Sequence, residues 1–180
     1  MAKCQNKTIQ EQYNAGARWF DIRLVMKPKE SPYCFDVYFA HGITEFRGNL
    51  DEVFGFLSSK DDAFCRIILE RGDNAEAFKT FVRLVMLTYP NLKVTQIAKK
   101  GDWGSIITPN ATFPYTMKDA YASSNTYNEK WKNAKGILKN KMVSGLLIDD
   151  LWPWIYAKLH NKKNIEKYKD ENICLLIDFV

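Results

Sequence analysis

Four sets of polar residues stand in or at the ends of apolar, strand-like runs. Asp21 and Arg23 fall within residues 18–25, His41 closes 37–41, Glu70 closes 64–70 with Arg71 beside it, and Asp178 lies in 172–179. A guanidinium clamps anionic oxygens through forked donors. An imidazole, with an ordinary pKa of about 6.5, moves protons near neutrality. Carboxylates orient or neutralise both. In α/β barrels, strand ends carry such groups because the loops there build the pocket. Each residue also has a plainer reading. Asp21 and Arg23, two apart, make a same-face ion pair; His41 caps a strand; Glu70 pairs with Arg23 or Arg71; Asp178 is a surface residue near the chain end.

The elements that position these groups follow from pattern. Thr8-Ile9-Gln10-Glu11 is a capping box, opening a short helix that stops at Gly16. In strand 18–25, Trp19, Asp21, Arg23 and Val25 share one face, and Phe20, Ile22 and Leu24 the other. Asn49-Leu50-Asp51-Glu52 opens a helix with apolar residues at 50, 53, 54 and 57. Residues 64–70 read as a strand buried on both faces, and 74–89 as a helix with Phe78, Phe81, Val82 and Val85 inward. Short strands are predicted at 94–98 and 105–108, then a loop through Pro109 and Pro114. Helices follow at 128–138 and 151–169, and strands at 143–148 and 172–179. Alternating strands and helices predict one α/β domain over residues 1–180, with a mostly parallel sheet, either doubly wound or closed into a barrel.

Composition narrows the partners. Hydrophobic residues make up 46% and charged residues 26% of the 180, ordinary for a globular protein. No apolar run approaches the roughly 20 residues of a membrane span. The N-terminus is polar, without the apolar core of a signal peptide, which predicts a cytosolic chain, or a secreted one if the natural start lies upstream. The net charge of +5 resides largely in Lys-rich stretches at 130–141 and 158–169. These suit solvated helix faces, an anionic lipid surface or a phosphorylated head group better than nucleic acid, which favours a basic stripe among aromatics. Cys4, Cys34, Cys65 and Cys174 are too widely spaced for a zinc motif.

The quoted residues together resemble a family. Asn14-Ala15-Gly16-Ala17-Arg18-Trp19-Phe20-Asp21-Ile22-Arg23 is similar to the second barrel strand of bacterial phosphatidylinositol-specific phospholipases C, where a GxRxxDxR pattern enters the active site. Tyr38-Phe39-Ala40-His41-Gly42 resembles the next strand with its catalytic His-Gly, and residues 50–57 and 65–70 the helix and strand after it. Leu175-Leu176-Ile177-Asp178-Phe179 resembles the late strand that supplies a catalytic aspartate. The resemblance covers the first ~75 residues well, the last ~35 less closely and the middle poorly.

The resemblance implies a TIM-barrel-like domain and a metal-free, calcium-independent phosphodiester cleavage. The inositol 2-hydroxyl attacks phosphorus and a cyclic phosphate forms as diacylglycerol leaves. By carry-over, Arg23 clamps the phosphorane charge, His41 is the general acid, Asp21 supports both, and Asp178 orients a general base. Arg23 stands where calcium-dependent relatives have an acidic ligand, so Glu70 is expected to pair with Arg23 instead of a metal. The base, a histidine on the family's first strand, has no counterpart here. The only other histidine, His160, lies in a Lys-rich helix. The expectation is therefore an incomplete barrel with impaired activity, whose strand 18–25 forms an exposed edge prone to self-association.

Two rival readings stand beside this one. Glycerophosphodiester phosphodiesterases usually carry a Glu-x-Asp metal pair at the position of Asp21-Ile22-Arg23, and the arginine argues against them. A non-catalytic phospholipid or membrane-surface binding module would use Trp152-Pro153-Trp154 beside the Lys-rich helix to dock at an interface.

Overall fold

The structure, a computed structural model, describes residues 7–30, 34–72, 74–102, 104–114, 116–118, 166 and 173–175. The chain forms two compact units, one of Ile9–Phe113 and one of Pro114–Val180 with Lys3–Thr8.

The first unit begins with α1 (Ile9–Asn14) and continues through β1 (Trp19–Pro28), β2 (Phe35–His41), β3 (Thr44–Phe46), α2 (Leu50–Ser58), β4 (Phe64–Arg71), α3 (Ala75–Thr88) and β5 (Lys93–Lys99). Its five strands form one mixed sheet in the order β3-β2-β1-β4-β5. Strands β1, β4 and β5 are parallel neighbours, whereas β2 runs antiparallel to both β1 and β3. The expected mostly parallel sheet is thus corrected at residues 35–46. Only residues 29–34 separate β1 from β2, and a parallel crossover needs a dozen or more. The chain can only fold back as a hairpin.

The expectation that residues 18–25 form an exposed edge is also corrected: β1 lies inside the sheet, between β2 and β4. Among the described residues the sheet is open, with β3 and β5 at its ends. The edge of β5 is partly covered by the chain that follows. Ile106 N donates to Ile97 O, Ala111 N to Val94 O, and the Asn110 side chain accepts from Val94 N and donates to Leu92 O. Residues 105–108 form bends and not the predicted strand. Their backbone makes a single bond to β5, too little for a ladder, and Pro109 follows without an N–H to extend it.

Local signals place the helices. Asn49 caps α2 as expected, its Oδ1 accepting from Asp51 N and Glu52 N at 3.0 and 3.2 Å. Helix α1 ends just before Gly16, whose φ of 104° suits the left-handed residue past a helix end. The inward residues of α2 (Phe54, Leu57) and α3 (Phe78, Val82, Val85) join one core with Phe20, Ile22 and Leu24 of β1 and Cys65, Ile67 and Leu69 of β4. Both helices therefore cover the same face of the sheet. The opposite face of β1 and β4 carries Asp21, Arg23, Arg66 and Ile68, which sit level across the ladder.

In the second unit, β6 (Thr116–Lys118) and β7 (Ile173–Leu175) pair in parallel. β7 lies within the strand predicted at 172–179, and Glu166 is helical, within the helix predicted at 151–169. The expectations for 128–138 and 143–148, the Lys-rich stretches, Trp152, Trp154, His160 and Asp178 lie outside the described residues. Among the described residues no helix is long and apolar enough to cross a membrane.

Candidate functional site

A run of charged side chains crosses the sheet face away from the helices. Period-two alternation on β1 sends Asp21, Arg23 and Lys27 to this face, because Phe20, Ile22 and Leu24 must enter the core. Arg23 donates from both Nε and Nη2 to Asp21 Oδ2, each at 2.9 Å, and from Nη1 to Glu70 Oε2 at 3.3 Å. Asp21 Oδ2 also accepts from Arg66 Nη2 at 2.8 Å. Glu70, whose side chain is fully shielded from solvent, accepts through Oε1 from Lys100 Nζ at 2.5 Å and from the Gly42 N–H at 2.6 Å. Three cations thus converge on two carboxylates, leaving the cluster net positive.

A bulge makes this convergence possible. In a regular strand Glu70 and Arg71 would point to opposite faces. The β1–β4 register shifts between Leu24 and Val25, so Leu69 sits opposite Leu24 and Arg71 opposite Val25, with Glu70 as the extra residue. Bulges of this kind re-aim side chains. Here both neighbours grip the backbone of one residue, on its two flanking peptide units: Glu70 takes the Gly42 N–H, and Arg71 Nη1 donates to Gly42 O at 2.7 Å. Gly42 opens the two-residue turn between β2 and β3 with φ 60°, the left-handed conformation such hairpins require. Arg71 also donates through Nη2 to Glu45, whose other oxygen accepts from Lys27 Nζ at 2.6 Å.

Electrostatics favour the charged forms of Asp21 and Arg23. Burial, the largest effect on Asp21, raises its carboxyl pKa. The hydrogen bond from Arg66 and the charges of Arg23 and Arg66 outweigh that, so the group lies below the ordinary carboxylate value. Burial likewise lowers Arg23, but Asp21 and then Glu70 more than compensate, and its pKa is raised. Asp21 Oδ1 is buried and accepts no hydrogen bond from the described residues. Arg66 also stacks on Trp19, its guanidinium carbon 4.9 Å from the ring centre, while the indole N–H donates to Thr95 Oγ1 at 3.1 Å.

Of the residues singled out from sequence, Asp21, Arg23 and Glu70 are brought into direct contact, and Arg71 joins them through Gly42. His41 is half-buried at the end of β2, one residue before that glycine. Alternation along β2 places Tyr38 and Ala40 on the charged face, so the link from this strand end to the cluster runs through the Gly42 backbone and not by strand pleat. Arg66 and Lys100 were not singled out. Arg66 carried a usable signal, a cation inside an apolar strand four residues before Glu70 and hence on its face. Lys100 carried none, since only the parallel pairing of β4 with β5 brings it to Glu70.

Arg23 bonds both carboxylates, and three of their four oxygens, all but Asp21 Oδ1, already accept from Arg23, Arg66, Lys100 or Gly42. Among the described residues no group of three acidic, histidine or cysteine side chains could hold a metal. Compared with protein-family models, curated proteins and solved structures, the chain matches none of them.

Proposed function

We propose that this chain is a phospholipase C-like phosphodiesterase domain whose charged sheet face binds the phosphate of a phosphodiester, with an inositol phospholipid as the expected substrate class. One observation carries the reading: Arg23 is held rigidly between Asp21 and Glu70, in a net-positive cluster beside the His41-Gly42 turn. Preorganised cations aimed at a phosphorane lower its energy without reorganisation during the reaction. A guanidinium has five N–H donors. Three are engaged by the carboxylates, which leaves two for phosphate oxygens. In this reading His41 protonates the leaving oxygen, Asp178 orients a base, and no metal takes part.

The same reading extends the sheet to a barrel. Strands β1, β4 and β5 are consecutive parallel neighbours with α2 and α3 on one side only. One-sided helices fit an arc of a (β/α) barrel, whereas a doubly wound sheet carries helices on both faces. The β2–β3 hairpin is then an excursion that brings the Gly42 backbone to the cluster.

Binding without cleavage is the second reading. It is favoured by the lack, within the resemblance, of a counterpart to the family's general-base histidine, since general acid–base catalysis of this reaction uses two proton-transfer groups. One experiment separates the two. The chain is incubated with phosphatidylinositol vesicles in EDTA, and soluble phosphate esters are followed by phosphorus NMR. Cleavage predicts a cyclic phosphate product, lost about 100-fold or more in His41→Gln. Vesicle binding that weakens in Arg23→Gln without any product supports the binding module. Absence of both, or activity that EDTA abolishes and calcium restores, overturns the proposal.

A further inference from the structure

Arg66 is buried within β4, on the sheet face that carries Asp21 and Arg23. A cation placed there is costly unless a partner matches it. Asp21 is its direct cross-strand neighbour on β1, and Arg66 Nη2 donates to Asp21 Oδ2 at 2.8 Å. That same oxygen accepts from Arg23 Nε and Nη2. Two guanidinium groups therefore share one carboxylate oxygen, although Arg23 alone would neutralise Asp21. An aromatic platform fixes Arg66 from its other side. Its guanidinium carbon lies 4.9 Å from the Trp19 ring centre, a cation–π contact. Trp19 donates its indole N–H to Thr95 Oγ1, and Thr95 donates in turn to Cys65 O at 3.0 Å. Phe113 packs on both Trp19 and Phe64, with ring centres 6.2 and 5.3 Å apart. The platform is thus tied to β4 and β5 as well as to β1.

We infer that Arg66 is a positioning residue of the anion site, which holds Asp21 in place against Arg23 and supplies positive charge that Asp21 would otherwise cancel. Three N–H bonds on Oδ2 fix the carboxylate. Two of them fix one edge of the Arg23 guanidinium, so its remaining donors keep a single direction. Asp21 carries one negative charge against two guanidinium charges, so the trio stays cationic while Asp21 is ionised. The added charge sits inside the sheet, where salt screens it less than a surface cation. Arg23, with 17% of its side chain exposed, presents that charge to the ligand, and buried Arg66 acts through Asp21. This role rests on the reading of Arg23 as a phosphate clamp and adds the residue that keeps the clamp charged and aimed.

The test is a sulfate titration of the full chain, because sulfate stays doubly charged near neutral pH. Amide NMR shifts of Gly42, which is bonded to Glu70, and of Arg71 beside it report binding. Arg66→Met keeps an unbranched side chain against Trp19 and removes the charge. It is expected to weaken sulfate about tenfold. Arg66→Lys keeps the charge and can keep the single bond to Asp21, and is expected to stay within about threefold of the native chain. Packing alone predicts the opposite order, since methionine suits a buried, aromatic-walled space better than lysine does. Arg66→Gln, which keeps an N–H donor for Asp21 without the charge, should match methionine and carries the test if the methionine variant does not fold. Native affinity in the methionine or glutamine variant would overturn the role of Arg66 and leave the Arg23 site standing. Lysine as weak as methionine would also overturn it. No shift at Gly42 or Arg71 in the native chain would overturn the anion site itself, and the role of Arg66 with it.

Discussion

Glu70 is the residue on which the site's geometry depends, and Glu70→Gln isolates its charge without changing its size. The glutamate accepts from Arg23 at 3.3 Å, from the Gly42 N–H at 2.6 Å and from Lys100 at 2.5 Å. Glutamine keeps one carbonyl oxygen for Gly42, but its amide N–H₂ must then face the Arg23 guanidinium, donor against donor. Breaking one partner out of a buried ion pair costs about 3–5 kcal/mol. The Lys100 side chain is 43% exposed, so its share is discounted to below about 1 kcal/mol. The bond to Arg23 is long, which lowers its share as well. The expected loss is about 3 kcal/mol, or roughly 6–12 °C in Tm for a chain of this size. Urea unfolding followed by circular dichroism measures it, with Lys100→Met as a control expected to stay within about 1 kcal/mol. Hydrogen exchange at the Gly42 amide should accelerate in Glu70→Gln, because that N–H loses a charged acceptor. A loss under about 1 kcal/mol with Gly42 exchange unchanged would refute the argument that this buried carboxylate organises the cluster.

Three further outcomes follow from the same geometry. Asp21 has its pKa lowered in the folded chain; its stabilisation is therefore complete above the ordinary value near 3.8 and is lost as pH falls through the lower folded value. Urea midpoints measured between pH 6 and pH 3 should fall less steeply at the acid end in Asp21→Asn than in the native chain, and parallel slopes would remove Asp21 from the network. Burial pushes the Cys65 thiol up to about 12, whereas Cys34 is exposed. Iodoacetamide at pH 8 with peptide mapping should label Cys34 in the native chain and Cys65 only in urea. Gly42→Ala meets no atom within 4 Å, so its cost comes from φ alone. It is expected to be about 1–2 kcal/mol, and smaller for Gly42→Asn, by the same unfolding assay.

The chain by itself determined whatever depends on near neighbours. Alternation in residues 18–25 separated the charged face from the core face, and Asn49 announced the cap of α2. The apolar register of 74–89 marked the inward side of α3, with Phe78, Val82 and Val85 buried as expected. The charges themselves left Glu70 free to pair with Arg23 or Arg71, and the pairing with Arg23 that forms is the one the resemblance implied.

What only the tertiary structure decided was everything set by partners distant along the chain. Strand polarity at 35–46 followed from the shortness of residues 29–34 and overrode the strand-helix alternation. The bulge at Glu70 sends two adjacent side chains to the backbone of one residue, Gly42, which a period of two cannot foretell. The parallel seam between β4 and β5 carries Lys100 to Glu70 across thirty positions of sequence. Local propensity encodes which face a residue takes. Which charges then meet is a property of strand order and register, and these are fixed by the burial of the whole core.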